Sequence, residues 1–199
     1  QLLDVGCGVG RIAIALWRLG FQDLTGVDFC AEMILRARAL GESVGCPCKF
    51  EIADARALPW LDDGFDGVIF GFNGLMQIPG REERRRALSE LRRVVRPGGR
   101  LVFTTHDRDL TAEQSWWREE RQRWECGKQA QDLLVFGDRI LDRTEGTIFM
   151  HLPDRAEVLA DLYATGWSYE TDELRSRIAN EPALVRDFAD ECRFWIARA

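Results

Sequence analysis

Three glycines at alternate positions, Gly6, Gly8 and Gly10, follow a short apolar run of strand type that contains the carboxylate Asp4. An apolar helical pattern starts directly after them. Glycines at a strand-to-helix turn expose bare backbone, and the free N–H groups at the start of a helix suit a polar or anionic ligand. A second carboxylate, Asp28, ends the next apolar run, about where a Rossmann-type site places the acid that accepts ribose hydroxyls. The pattern therefore predicts a ligand-binding turn.

Two histidines and two amides are candidates for contacting or activating a substrate. His106 ends the fifth predicted strand, and His151 ends a predicted hairpin. An imidazole takes up a proton near neutral pH, so either ring could serve as a general base, with a structural role as the alternative for each. Asn73 and Gln77 follow the fourth predicted strand, where they could hydrogen-bond a substrate or stabilise a turn.

The elements that position these residues alternate between strands and helices through the first half of the chain. Such alternation predicts parallel pairing, right-handed crossovers and a doubly wound α/β sheet. Ligands of these sheets bind outside the carboxyl ends of the strands. That rule gathers the segments that follow five strands around one crevice: Gly6–Gly10, Asp28, Asp54, Phe70–Asn73 and His106.

Five segments together resemble a known family. Leu3–Gly10 is similar to the D-x-G-x-G-x-G motif of class I S-adenosylmethionine-dependent methyltransferases, and four later segments resemble that family's further motifs in the same order: Gly26–Asp28, Ala53–Ala55, Phe65–Ile69 and Arg96–Leu101. The resemblance becomes looser beyond the fifth strand. It implies a Rossmann-like seven-stranded sheet, mostly parallel with an antiparallel last strand, in the order 3-2-1-4-5-7-6.

The resemblance also implies an activity and a cofactor. S-adenosylmethionine would donate a methyl group to an oxygen, nitrogen or carbon nucleophile of a small-molecule acceptor, without a metal. The cofactor residues that it implies are Asp4, Gly6, Gly8, Gly10, Asp28, Met33, Asp54, Ala55 and Phe70. Asp28 would accept both ribose hydroxyls, and Asp4 would orient the ammonium group through the glycine turn. Met33 would pack on the adenine ring, although its helical spacing also suits a core position.

Residues 107–150 interrupt the alternation. Loops in such folds usually have two to six residues, so this segment is an insertion, and we expect it to cap the substrate pocket. Thr111–Gln114 has the form of a capping box and predicts a helix that carries Trp116 and Trp117. These indoles could line an apolar acceptor pocket or form the buried face of the helix. Two alternating runs on either side of Glu145-Gly146 predict a β-hairpin.

The chain has the size of one domain, 199 residues with 46% hydrophobic content. Residues 167–174 and 191–197 are the last two predicted strands, which the resemblance implies form an antiparallel edge hairpin. The sequence begins on a strand without a methionine, so we expect that a helix usual in this family before that strand is missing. The protein would act as a monomer or a homodimer.

Charge and cysteine content narrow the function further. A net charge of −6 lacks the basic footprint of a nucleic-acid binder. The sequence contains no run of eighteen apolar residues, so it predicts no membrane-spanning helix. The six cysteines show no disulfide-framework spacing, which favours a reducing cytoplasm. Cys46-Pro47-Cys48 is interpreted as a pair of ordinary thiols, because no second cysteine or histidine pair for a metal lies near it in the sequence.

Two functions other than methyl transfer could use a glycine turn of this kind. An NAD(P)-dependent oxidoreductase would use the fingerprint G-x-G-x-x-G, but Arg11 stands where the third glycine belongs. The Pro97-Gly98-Gly99 turn would also have no explanation. A non-catalytic module that binds S-adenosylmethionine or a partner protein through the same fold stays open.

Overall fold

The computed structural model describes residues 1–111, 113–143, 146–182 and 191–199. The strands in chain order are β1 (Leu2–Val5), β2 (Leu24–Asp28), β3 (Lys49–Ile52), β4 (Phe65–Phe70), β5 (Val95–Thr105), β6 (Asp138–Arg143), β7 (Gly146–His151), β8 (Ser168–Leu174) and β9 (Arg193–Arg198). The α-helices are α1 (Arg11–Arg18), α2 (Ala31–Ser43), α3 (Arg81–Val94), α4 (Gln114–Glu125), α5 (Arg155–Ala164) and α6 (Arg175–Ile178), and short 3-10 helices span Gly74–Gln77 and Arg108–Leu110.

Within these ranges, seven strands form one sheet in the order β3-β2-β1-β4-β5-β9-β8. The first five strands pair in parallel, and β9 is antiparallel to both of its neighbours. Counted along the sheet, this is the order 3-2-1-4-5-7-6, so the predicted fold class and topology are confirmed. The predicted hairpin is the separate antiparallel pair of β6 and β7. Its turn residues 144 and 145 lie outside the described residues.

The central strands of the sheet are buried, because their sequences are mostly apolar. Leu3, Phe65 and Leu101 from three neighbouring strands are at most 1% exposed, as expected for parallel strands covered on both faces. α3 adds an apolar stripe that includes Leu88 and Leu91, and of its charged residues only Arg84 is buried. A second, smaller apolar cluster joins α1, α2 and β3. This packing fixes the carboxyl ends of β1, β2 and β4 beside one another.

The insertion contains the predicted helix, but the helix begins differently from the prediction. Glu113 is the residue that precedes α4, and it makes no side-chain cap. The Thr111 hydroxyl instead donates to the Arg108 carbonyl, and the Gln114 side-chain amide donates to the Arg108 and Thr111 carbonyls. The predicted capping box is therefore wrong, because the preceding 3-10 turn attracts both polar side chains. Its second residue, 112, lies outside the described residues.

Membrane-spanning helices are not found in the described part of the chain, where each helix is too short or too polar to cross a bilayer.

Candidate active site

A crevice of about 370 Å³ opens at the carboxyl ends of β1, β2, β3 and β4. This volume lies in the range of small-molecule sites. The residues that line it are Val5, Gly6, Gly8, Asp28, Phe29, Cys30, Met33, Ala53, Asp54, Ala55, Phe70, Gly71, Phe72, Gly74, Gln77 and Ile78. The segments predicted to meet after β1, β2, β3 and β4 therefore do meet.

The glycine turn has a different role at each position. At Gly8, with φ of +54°, an added Cβ would meet no atom within 4 Å, so the backbone faces open space in the crevice. At Gly10 an added Cβ would lie 2.7 Å from the Phe50 ring. Gly10 also precedes α1 and does not line the crevice. Gly10 thus allows the turn to pack on β3, and its contact with a cofactor stays a prediction.

Asp28 is held by backbone donors on both sides. Its Oδ2 accepts the Gly8 N–H at 2.9 Å, and its Oδ1 accepts the Cys30 N–H at 2.9 Å. Each carboxylate oxygen has two lone pairs, so one position on each oxygen is still available. A fixed carboxylate with one acceptor position on each oxygen suits the two neighbouring hydroxyls of a ribose.

Asp4 lies outside the crevice lining. It is 1% exposed, and its Oδ2 accepts the Ala13 N–H of α1 at 3.1 Å. Its Oδ1 is buried without a hydrogen-bond partner among the described residues. Burial raises the pKa of Asp4 to about 7, against the lowering effect of the Ala13 bond, and the nearby Asp28 charge raises it further. Asp4 therefore anchors α1 behind the turn. That it orients the cofactor's ammonium group through the glycine turn stays a prediction.

Apolar side chains form the wall that follows β2. Met33 is 38% exposed and lines the crevice, so its spacing on α2 does not place it in the core. Phe29 is 80% exposed beside it, and the sequence interpretation missed both Phe29 and Cys30. Their position directly after Asp28 is the signal that would have found them. Apolar side chains left exposed in a concave site suit a flat, apolar ligand ring.

Asp54 and Ala55 line the crevice, as predicted for the segment after β3. Asp54 is also paired with Arg56, whose Nη2 lies 2.7 Å from Oδ2. The hydrogen bonds from Arg56 lower the pKa of Asp54. Arg56 in turn contacts Glu83 on α3 at 3.0 Å. This chain of ion pairs ties the segment after β3 to α3.

The turn after β4 has a rare backbone conformation. Phe72 and Asn73 have φ values of 48° and 60°, a region that costs non-glycine residues energy and often occurs at functional sites. The Asn73 N–H donates to the Thr104 hydroxyl at 2.9 Å, which holds the turn against β5. Phe72 is 60% exposed in the crevice, and the Arg11 guanidinium lies 4.1 Å from its ring centroid. Gln77, on the next 3-10 helix, lines the crevice as predicted for a substrate contact.

His106 contacts Asn73 but does not line the crevice. Its Nδ1 lies 2.9 Å from the Glu191 carbonyl oxygen, and its Nε2 lies 3.1 Å from the Asn73 Nδ2. A carbonyl only accepts, so this geometry assigns the proton to Nδ1 and makes Nε2 the acceptor for the Asn73 amide. The nitrogen that a general base would use is therefore already occupied.

Residues 2–99 match the family model described as "Methyltransferase domain". Over these residues, just under half of the chain, the sequence is similar to the methyltransferase family. The match ends within β5 and includes every segment that lines the crevice.

Two curated methyltransferases are similar over the same part of the chain. A demethylmenaquinone methyltransferase from Thermus thermophilus is 39% identical over 105 residues, 51% of this chain and 45% of that protein. A 27-O-demethylrifamycin SV methyltransferase from Amycolatopsis mediterranei is 37% identical over 105 residues, 52% of this chain and 37% of that protein. The matched part of the chain thus spans less than half the length of these relatives.

The methyltransferase fold extends beyond the part matched by sequence. A solved S-adenosylmethionine-dependent methyltransferase from Methanosarcina mazei has a TM-score of 0.78 to this chain at 21% identity, covering 99% of this chain and 91% of that one. Similarity at this identity shows the shared fold.

Four of the predicted substrate residues lie outside the crevice lining: Asn73, Trp116, Trp117 and His151. Trp117 is 4% exposed and packs with Met76 and Leu152. Trp116 faces a separate open groove beside Arg139. None of the four lines the crevice, so their contact with an acceptor stays a prediction. Trp117 of the insertion packs on Met76, whose 3-10 helix contributes Gly74 and Gln77 to the lining.

His151 belongs to a group of buried charges that we call the charged cluster. Its members are Arg84, Arg108, Asp138, His151 and Glu157. The His151 ring lies 2.7 Å from Asp138 Oδ1 through Nδ1 and 2.8 Å from Glu157 Oε1 through Nε2. A ring that donates from both nitrogens to carboxylates carries a positive charge. His151 therefore holds β6, β7 and α5 together.

Proposed function

We propose that the protein transfers the methyl group of S-adenosylmethionine to an oxygen, nitrogen or carbon nucleophile of a small-molecule acceptor. The observation that carries this proposal is the pairing of open backbone at Gly8 with the fixed carboxylate of Asp28 in one crevice. The similarity of residues 2–99 to the methyltransferase family supports it. The names of the relatives, which refer to menaquinone and rifamycin, favour an organic small molecule as acceptor.

The residues present fit this cofactor. Asp28 would accept the two ribose hydroxyls on its remaining lone pairs. Met33 and Phe29 would pack on the adenine ring, whose edge would face Ala55 and the neighbouring Asp54. The methionine portion would approach the backbone at Gly6 and Gly8, because no side chain fills the space at Gly8.

When bound, S-adenosylmethionine supplies a sulfonium methyl group that is already activated for displacement. The protein therefore has to align the acceptor and exclude water, which accounts for much of the catalysis in such reactions. Phe70 and Phe72 provide apolar walls at the carboxyl end of β4, where they line the crevice. Phe70 packs so closely that a Cβ on Gly74 would lie 2.3 Å from its ring. These tight contacts keep the crevice wall in place.

Asn73 and Gln77 are the proposed acceptor contacts. Gln77 is exposed in the crevice, and the Asn73 Oδ1 is buried with no hydrogen-bond partner among the described residues. A buried acceptor atom without a partner is costly, so an acceptor N–H or O–H that reached it would gain affinity. Residues 107–150 would cap this side through the contact of Trp117 with Met76.

The proposal also includes the conditions in which the enzyme works. The protein would act without a metal, in the cytoplasm, as a monomer or homodimer, on a small molecule and not on nucleic acid. The net charge of −6 supports the last point, because a polyanion would be repelled.

Calorimetric titration tests the cofactor assignment first. We expect S-adenosylhomocysteine to bind and NADH and NADPH to give no heat. The opposite pattern would favour the oxidoreductase. Methyl-labelled S-adenosylmethionine with a panel of reduced quinones, phenols and amines then tests transfer. Binding without transfer to any acceptor, including those that co-purify with the full-length protein, would favour the non-catalytic module.

A further inference from the structure

Cys46 and Cys48 lie in the loop between α2 and β3, away from the residues that line the crevice. Their Sγ atoms are 3.0 Å apart, and both thiols are free and half-buried. The sequence alone favoured two ordinary thiols. A direct contact between the two sulfur atoms is the geometry from which a disulfide forms with little movement.

The surrounding elements hold both cysteines in place. The Cys46 N–H donates to the Gly41 carbonyl in the last turn of α2 at 2.9 Å. Cys48 directly precedes β3, and its Sγ lies 3.8 Å from the Ala13 carbonyl oxygen of α1. Gly45, with φ of +68°, makes the turn that brings the loop back. The sulfur contact is thus a consequence of how α1, α2 and β3 pack.

We propose that Cys46 and Cys48 form a redox-active dithiol, which a low-molecular-weight disulfide such as oxidised glutathione converts into an intrachain disulfide. This inference is independent of the proposed methyl transfer. Where disulfides form in reducing compartments, they are usually transient and serve in catalysis or redox sensing.

The reaction proceeds in two balanced exchanges. The Cys46 thiolate attacks one sulfur of the oxidant, forming a mixed disulfide and releasing one glutathione thiolate. The Cys48 sulfur then attacks the Cys46 sulfur, forming the intrachain bond and releasing the second thiolate. The two cysteine protons end on the two released glutathione molecules. One disulfide bond is broken and one is formed, so the protein loses two electrons and the oxidant gains them.

The two sulfurs differ in how easily they react. Burial, together with the contact to Cys46, raises the pKa of Cys48 to about 12. Cys48 therefore keeps its proton and reacts slowly with an outside disulfide, since the thiolate is the nucleophile. Cys46 adjoins the exposed residues Gly45 and Pro47 and is the first to react. Cys48 becomes effective only when the mixed disulfide lies next to it.

Tryptic digestion gives a direct test. Cleavage after Arg38 and Lys49 produces a peptide, residues 39–49, that contains Cys46 and Cys48 and no other cysteine, while the other four cysteines fall in four separate peptides. The folded protein is incubated in glutathione buffers of increasing oxidised fraction, trapped with an alkylating agent and analysed by mass spectrometry. We expect peptide 39–49 to lose two hydrogens and both alkyl groups together, and dithiothreitol to restore them. The exposed Cys126 should show only a mixed disulfide.

Two variants separate the steps. Cys48→Ser should stop at a stable mixed disulfide on Cys46, and Cys46→Ser should leave Cys48 alkylatable only after unfolding. The proposal is overturned if peptide 39–49 of the wild type keeps both alkyl groups while Cys126 reacts, or if it accumulates glutathione on Cys46 without closing. Because this readout uses the unmodified protein, it decides the question even if a variant fails to fold.

Discussion

The carboxylates of two regions of this protein, Asp4 beside the crevice and the pair Asp138 and Glu157 in the charged cluster, have pKa values that shift in opposite directions. Beside the crevice, burial and the Asp28 charge raise the pKa of Asp4 to about 7, and no cation pairs with it among the described residues. In the charged cluster, burial alone would raise the pKa of Asp138, but bonds from His151 and from two backbone amides hold it below its ordinary value. Glu157 behaves in the same way through His151, Arg84 and Arg108.

The difference shows which region is prepared for a ligand. The charged cluster satisfies its charges internally: each of its carboxylates has a cationic partner within 4.0 Å. The crevice keeps unused acceptor capacity on both oxygens of Asp28, and the buried Oδ1 of Asp4, behind the glycine turn, has no hydrogen-bond partner among the described residues. The charged cluster also contains buried nitrogens without a hydrogen-bond partner, Arg84 Nη2 and Arg108 Nε, so the indication of a binding role comes from the Asp28 carboxylate, which lines the crevice.

The largest effect is expected from breaking the charged cluster. His151→Ala removes the ring that bridges Asp138 and Glu157 and leaves these carboxylates with only the longer contacts, of 3.6 to 4.0 Å, to Arg84 and Arg108. Loss of one member of a buried ion pair typically costs about 3–5 kcal/mol. Urea denaturation should show that loss in the free energy of unfolding.

Arg36→Ala is the matched control for that experiment. It removes an exposed ion pair with Glu32 on α2, which should change stability by less than about 1 kcal/mol. If the folded fraction of His151→Ala still binds S-adenosylhomocysteine normally, the two regions are independent. A loss of stability no greater than that of Arg36→Ala would show that the charged cluster is not structural.

The next largest effect concerns the crevice. Asp28→Ala should weaken S-adenosylhomocysteine binding by about 2–4 kcal/mol, or roughly 30- to 1,000-fold, because charge-assisted hydrogen bonds to the ribose are lost. Calorimetric titration measures this directly. Asp23→Ala is the control, since Asp23 is an exposed carboxylate just before β2. Equal affinities for the two variants would remove Asp28 from the proposed site.

The next effect, on the free energy of unfolding, is expected for Asp4 and depends on pH. Its pKa is about 7 in the fold and 3.8 ordinarily, so between these values the native state holds a proton that the unfolded chain has released. Stability from this group therefore falls as pH rises from about 4 to about 7. Asp4→Asn cannot titrate, so its free energy of unfolding should gain on that of the wild type over that range by at most about 4 kcal/mol, the equivalent of about 3 pKa units. Denaturation of both proteins at several pH values gives the difference.

The charged cluster predicts the opposite pH window. Because the pKa values of Asp138 and Glu157 are lowered in the fold, their stabilisation is present above their ordinary values and is lost as pH falls through the lowered ones. Both proteins keep Asp138 and Glu157, so the difference between their free energies of unfolding reports on Asp4 alone. A difference that stayed constant with pH would show that Asp4 is ionised in the fold.

The sequence predicts best the site residues whose positions depend only on where a strand ends. Gly8 and Asp28 occur at strand ends, and a parallel sheet brings such ends to one edge whatever the side chains do. Phe29 was missed for a related reason. A single exposed aromatic residue after a strand belongs to no periodic pattern, and only the three-dimensional structure shows that it lines the crevice.

The residues predicted least well depend on distant partners. Nothing near His151 in sequence shows that Arg84 from α3 and Asp138 from β6 surround it. Trp117 has the spacing of either a pocket wall or a buried helix face, and the packing of Met76 and Leu152 decides between them. The Thr111 capping box failed because a 3-10 turn, which periodicity does not reveal, competes for the same hydroxyl.

The smallest effect is expected from His106, the residue first considered as a general base. If its Nε2 accepts from Asn73 and its Nδ1 donates to Glu191, His106→Ala removes two hydrogen bonds, costs about 1 kcal/mol of stability and leaves S-adenosylhomocysteine affinity unchanged. A general base would instead contribute about 10²–10⁴-fold to the rate. The chain has only two histidines, so ¹⁵N-histidine NMR can compare them directly. We expect His106 to show a protonated Nδ1 and an unprotonated Nε2, and His151 to show both nitrogens protonated. A His106 ring protonated at Nε2 would contradict the contact with the Asn73 amide and return His106 to the list of candidate bases.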